Sequence, residues 1–167
     1  MNLNHDPGTL VVLVGVSGAG KSTFAERRWP PSWTLNLDAY REMATNSAAD
    51  QSATTVALQV QDLLLDARLA RGLTTIIDST AIQPHARAHL LARARYWQRP
   101  CSAVLFDVPL AVCEVQNALR PRVVPGAVLR EQHRDLPGAD QLIAEGFRFV
   151  DRVTATGPAH LEPARAR

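Results

Sequence analysis

Residues 15–23 read Gly-Val-Ser-Gly-Ala-Gly-Lys-Ser-Thr, between the apolar run Leu10-Val11-Val12-Leu13-Val14 and the helix-compatible stretch Phe24-Ala25-Glu26-Arg27-Arg28. A strand, a glycine-rich turn ending in Lys-Ser, and a helix are the context of a P-loop, whose backbone N–H groups cradle phosphate oxygens where the helix dipole favours anions. Gly15, Gly18 and Gly20 are expected to let the backbone take positive φ and come close to the phosphates. With Ser17, Ala19 and Thr23 they form the expected cradle for ATP or another NTP. Lys21 is expected to reach the β- and γ-phosphates, and the Ser22 hydroxyl to ligate Mg²⁺. Of 18 basic residues Lys21 alone is a lysine.

A chain of 167 residues suits one domain with a single substantial core. Its 46% hydrophobic and 20% charged residues are ordinary for a globular protein. No apolar run approaches the roughly 20 residues that span a bilayer. The first residues lack the basic and apolar regions of a secretory signal, so no membrane partner and a cytoplasmic location are expected. Cys101 and Cys113 fall in no metal-ligand or CxxC pattern and read as buried small residues.

The βα alternation continues down the chain. Thr34–Leu37 reads as a second strand, 43–52 as a loop over the substrate, and Val56, Val60, Leu63, Leu64 and Ala67 as one helix face. Thr74–Asp78 reads as a third strand, followed by a helix marked by Ala86, Leu90, Ala94 and Trp97. A fourth strand (Ser102–Val108) precedes a helix marked by Val112, Val115 and Leu119. Then come a proline-bounded basic turn (Arg120–Gly126), short helices over 128–135 and 139–145, and a last strand within 147–153. The expected fold is α/β: a central, mostly parallel sheet flanked by helices, with a small helical lid. Residues 1–153 form the expected domain and 154–167 an unstructured tail or linker.

In such sheets ligands bind at the C-terminal strand ends, which puts the P-loop, Asp38 and Asp78 on one edge. Asp78 is in the position of an acid that holds Mg²⁺, or else of a turn or capping aspartate. Asp38 could orient an acceptor hydroxyl and take its proton. Arg41, three residues on, would face the same way toward an anion. Spacing alone leaves open a capping aspartate with a surface arginine. Arg120 and Arg122 fit a phosphate-clamping lid or a surface turn. The net charge is +2, yet residues 79–106 contain no acid and include Arg87, Arg93, Arg95 and Arg99. That stretch reads either as a footprint for phosphodiesters or as a solvated helix face. His85 and His89 have helical spacing but no third metal ligand.

A GTPase reads guanine through Asn-Lys-x-Asp, which needs a second lysine, and transporter-type ATPases need a Ser-Gly-Gly signature. Neither is present, which leaves a kinase. A module that binds ATP without turnover is a further reading, against which Asp38 argues.

The P-loop, Asp38 with Arg41, Asp78-Ser79-Thr80, Arg87, Asn117 with Arg120 and Arg122, and the run Glu145-Gly146-Phe147-Arg148-Phe149-Val150 occur in one order over 10–153. Together they resemble the 5′-kinase module of polynucleotide kinases, especially that of bacterial RNA end-healing and sealing enzymes. The resemblance implies phosphorylation of 5′-hydroxyl ends of DNA or RNA by ATP and Mg²⁺, in DNA or RNA repair. It makes Lys21 and Ser22 the phosphate and Mg²⁺ ligands and Asp38 the general base. Arg41 would bind the phosphate 3′ to the terminal nucleoside, Thr80 and Arg87 would join the substrate site, and Arg120 and Arg122 would clamp the donor. Phosphatase and ligase modules on the same or another chain are implied partners. Ala81 stands where the family often has Asn, and no basic residue stands near Gln116. The alternative acceptor is a small hydroxylated metabolite.

Overall fold

The apolar run near the start of the chain becomes β1 (Leu10–Gly15), buried along its whole length. Its side chains alternate between two cores. Leu10, Val12 and Val14 pack on one face of the sheet, Val11 and Leu13 on the other. The computed structural model describes residues 6–154 and 161–164. In chain order the elements after β1 are α1 (Lys21–Arg28), β2 (Thr34–Asn36), α2 (Leu37–Thr45), α3 (Thr54–Ala70), β3 (Thr75–Asp78) and α4 (Pro84–Tyr96). They are followed by β4 (Cys101–Phe106), α5 (Leu110–Ala118), α6 (Gly126–Arg134), α7 (Ala139–Glu145), β5 (Val150–Val153) and β6 (Leu161–Ala164).

The sheet order is β2-β3-β1-β4-β5-β6, with the first five strands parallel and β6 antiparallel to β5. This is the expected α/β architecture. The pairing of Leu161–Ala164 with β5 corrects the expectation of an unstructured tail for those four residues. Among the described residues no helix is long and apolar enough to cross a membrane.

Two helices bury a different face from the one their periodicity suggested. α3 buries Ala57, Gln61, Leu65 and Leu69, while Leu63 stays 73% exposed and Val56 and Leu64 are also exposed. Apolar residues lie all around this helix, so spacing could not choose among its faces. α5 buries Cys113 and Asn117 and leaves Val115 and Leu119 in solvent, because the 113/117 side lies against the glycine-rich turn. α2 takes the last residue of the expected second strand, Leu37, and the first three of the expected loop, 43–45. The Asn36 side chain caps it, accepting from the Asp38 and Ala39 N–H groups at 2.8 and 3.2 Å.

The acid-free arginine stretch also folds differently from a solvent-facing track. Arg87, expected to bind substrate, is wholly buried. It donates to both Glu145 carboxylate oxygens at 2.6 Å, to the Ala81 carbonyl at 2.9 Å and to the Ile82 carbonyl. Four of its five N–H donors are engaged, and its burial keeps it from a ligand in the cleft. Arg93 pairs with Asp62 and Asp66 of α3, Arg95 donates to the Glu145 carbonyl, and Arg99 to the Leu69 carbonyl. His89 joins Asp62 rather than a metal.

The Arg87 pair spans α4 and α7 and fixes the turn after β3. Its hydrogen bonds hold the Glu145 carboxyl below the usual glutamate range. A depressed carboxylate pKa stabilises the fold above the unfolded value, and that contribution disappears as pH falls through the lowered folded value. Replacement Arg87→Leu leaves Glu145 without its partner. Urea unfolding at neutral pH is expected to show a loss of about 3 kcal/mol. The difference from wild type should shrink as the pH is taken below the glutamate range.

Candidate active site

The C-terminal ends of β1, β2 and β3 meet lid residues 119–125 around a cleft of about 1430 Å³. The glycine-rich turn forms its floor. Gly18 and Gly20 have φ of 82° and 86°, where a Cβ is costly, but Gly15 does not share this conformation. Gly15 is needed for another reason: a Cβ there would lie 2.7 Å from the Phe106 Cβ on the neighbouring strand.

The N–H groups of the turn divide into two sets. Gly15 donates to the Thr80 carbonyl at 3.0 Å, Ala19 to the Val16 carbonyl at 3.1 Å, and Ser17 to Gln132 Oε1 at 2.9 Å. Those of Gly18, Gly20, Lys21, Ser22 and Thr23 have no partner among the described residues. Gly15 and Ala19 therefore shape the cradle rather than donate to phosphate, which narrows the expected set. The first turn of α1 has neither an acidic residue nor a capping side chain. The N–H groups at a helix N-terminus have no partner within the helix, and an anion at this end supplies acceptors for them. These groups fit a nucleotide's phosphates.

Lys21 is buried, and its Nζ donates to the carbonyls of Gly15 and Val16, both at 2.8 Å. Burial lowers its pKa to about 8, with Asp78 pulling it up and Arg120 pushing it down. A phosphate group beside it would restore the charge. Asp78 is buried and accepts from Asn36 Nδ2 at 2.8 Å. The Ser22 hydroxyl faces the cleft. One carboxylate and one hydroxyl are hard oxygen donors that suit Mg²⁺, an ion that keeps waters and takes phosphate oxygens for the rest of its shell.

Asp38 stands on the first turn of α2, with 43% of its side chain exposed. Arg41, itself buried, donates through Nη2 to Asp38 Oδ1 and through Nε to the Ala48 carbonyl at 3.1 Å. Arg122 crosses from the lid to the same two acceptors, Asp38 Oδ1 at 3.4 Å and Ala48 O at 3.2 Å. Expected on the phosphate donor, Arg122 is placed here on the Asp38 carboxylate. Arg120 lines the cleft and has no ion pair among the described residues. Thr80 lines it as well.

The sequence reading did not single out Asn36 or Gln132. Asn36 carries a recognisable signal, an Asn two residues before a first-turn aspartate. Gln132 carries none, because its contact with Ser17 is made across 115 residues of chain.

Residues 10–138 match the family model described as an AAA domain. No curated protein matches the chain by sequence. A gluconokinase from Sinorhizobium meliloti 1021 is similar in fold at 21% identity and a TM-score of 0.57, over 93% of this chain and 86% of that one. A sugar kinase from Janibacter sp. HTCC2649 is similar at 20% identity and 0.61, over 90% and 87%. A chain of the Pnkp1/Rnl/Hen1 RNA repair complex is similar at 23% identity and 0.68. There the match covers 87% of this chain but only 48% of that one, so this chain spans about half its length.

The two left-handed glycines are expected to differ under substitution. A Cβ at Gly20 meets nothing nearer than Gln116 Oε1 at 3.9 Å, so Gly20→Ala should cost only the conformational penalty of about 1–2 kcal/mol. A Cβ at Gly18 would overlap the Cys113 carbonyl oxygen, adding roughly 1–3 kcal/mol of overpacking. Urea unfolding of the two variants checks the order; equal losses would refute it.

Proposed function

Because the chain belongs to the AAA domain family, we propose that it is a P-loop kinase that transfers the γ-phosphoryl group of ATP to the 5′-hydroxyl end of DNA or RNA. The observation that carries this reading is the placement of Asp38, a half-exposed carboxylate in the same cleft as the unpartnered N–H groups of the glycine-rich turn. A module that only binds nucleotide has no use for it. ATP with Mg²⁺ supplies the transferable phosphoryl group and neutralises its charge. Lys21 releases the two loop carbonyls and takes phosphate oxygens. Asp38 orients the acceptor hydroxyl and accepts its proton. Arg41 fixes the carboxylate through Nη2, and its Nη1, which has no partner among the described residues, is left for the phosphate next to the terminal nucleoside. Arg120 donates to the phosphoryl oxygens as charge develops.

The nucleic-acid acceptor is supported by the resemblance of the site segments, of which the glycine-rich turn, Asp38 with Arg41, Asp78 to Thr80, and Arg120 with Arg122 line one cleft. A second acceptor class, a small hydroxylated metabolite, is favoured by a separate observation. Arg87 is buried on Glu145 and Arg93 is paired with Asp62 and Asp66, so that stretch offers fewer free guanidinium groups to phosphodiesters than its charge suggests. Phosphatase and ligase modules, on this polypeptide or another, would act on the same ends.

Incubation with γ-labelled ATP, Mg²⁺ and a 5′-hydroxyl oligonucleotide, as DNA and as RNA, is expected to place label on the 5′ end. Asp38→Ala should lower the rate by about 10²–10⁴-fold with ATP affinity unchanged. Oligonucleotide affinity should fall with salt at a log–log slope near −0.7 for each neutralised phosphate. Labelling of a neutral polyol but of neither oligonucleotide would move the assignment to the second class.

A further inference from the structure

Asn117, in the last turn of α5, is 4% exposed, and both ends of its carboxamide are engaged by one residue of the lid. Nδ2 donates to the Val124 carbonyl at 2.8 Å, and Oδ1 accepts from the Val124 N–H at 3.0 Å. This pair of hydrogen bonds closes a loop that contains Arg120 and Arg122 and has no helix or strand of its own. Besides this pair, among the described residues, the loop is held by the turn from Arg120 N–H to the Asn117 carbonyl at 3.2 Å and by Arg122, which donates to Asp38 and Ala48.

Asn117 also touches the floor of the cleft. A Cβ on Gly18 would lie 3.2 Å from the Asn117 Cβ and 3.2 Å from its backbone nitrogen. One residue therefore contacts both the glycine-rich turn and the loop that carries the lid arginines. The helix that follows this loop, α6, is tied to the same turn, through Gln132 Oε1 on the Ser17 N–H. A buried amide that satisfies two backbone groups at once fixes distance and orientation together.

We propose that Asn117 is a positioning residue for phosphoryl transfer. It sets the height and direction of Arg120 and Arg122 above the glycine-rich turn and touches neither nucleotide nor acceptor. The inference rests on the kinase reading for its rate consequence but not for its structural one. Arginine stabilisation of the transferring group depends on placement, and a displacement of about 1 Å can cost roughly 100-fold in rate.

The test uses the full chain and two variants. Asn117→Leu removes both hydrogen bonds at nearly constant volume. Val124→Pro deletes the N–H on the opposite side and leaves Asn117 in place, so it carries the test if the first variant does not fold. Asn117→Leu is expected to lower kcat by about 10- to 100-fold while ATP affinity changes by less than about 3-fold. In an Arg120→Ala background the same change should add almost nothing, because its effect runs through that arginine. Losses that multiply across the two sites, or an unchanged kcat in a folded variant, would overturn the proposal.

Limited trypsin digestion reads the loop without any turnover. The Arg120–Pro121 bond resists trypsin, which leaves Arg122–Val123 as the reporter. Cleavage there is expected to be at least about 10-fold faster in either variant, since protection follows local opening. Equal cleavage in wild type and variants overturns the proposal. If no acceptor is ever phosphorylated but the loop opens as expected, the kinase reading fails and the bracing role stands.

Discussion

Parallel pairing of β1 with β3 on one flank and β4 on the other is the constraint on which the site depends. Leu13 lies opposite Asp78 and Gly15 opposite Phe106, so the glycine-rich turn must leave the sheet between a buried carboxylate and an aromatic ring. The first pairing sets Asp78 near enough to Lys21 to raise its pKa against burial. The second permits no side chain at Gly15. β2 then places Asn36 beside Asp78, and the same asparagine starts the helix that carries Asp38 and Arg41. Each group in the cleft is thus located by a strand end, and loop conformation contributes mainly at the lid.

Arginine in this protein serves two unlike ends. Arg87 and Arg93 act as multivalent braces, because a guanidinium has five donors in a rigid plane and can join several acceptors at once, while Arg95 and Arg99 each tie one backbone carbonyl. Arg41, Arg120 and Arg122 line the cleft instead. The two groups have the same side chain and similar local sequence. What separates them is the partner brought up by the fold, Asp62 and Asp66 from α3 or Glu145 from α7. A count of charge along the chain cannot contain that information.

The parts legible in the sequence were those whose cause is local. β1, the glycine-rich turn and α1 are dictated by consecutive residues, and α7 ends at Gly146, where φ is 114°. Asp38 with Arg41 was legible as one helical turn. The buried faces of α3 and α5 were not, since Leu63, Leu64 and Val115 are as apolar as the residues buried beside them. Only packing against the sheet or the turn decides between them. The Arg87 brace and the Gln132 contact join residues 58 and 115 positions apart, beyond any periodic signal. Ala81 shows the reverse case. Its φ of 45° is a conformation that asparagine tolerates better, so the family's usual residue there has a backbone reason that this chain forgoes.

The solitary lysine has a chemical consequence of its own. Lys21 carries the only side-chain primary amine in the sequence, and burial poises it to be neutral over much of the mildly alkaline range. A neutral amine is the nucleophilic form, the one that acylating and aldehyde reagents consume. The other seventeen of the lysine and arginine side chains are guanidinium groups, inert to the same reagents. Lysine-directed labelling of this protein is therefore site-directed by composition, and a single adduct on a side chain would report on the floor of the cleft.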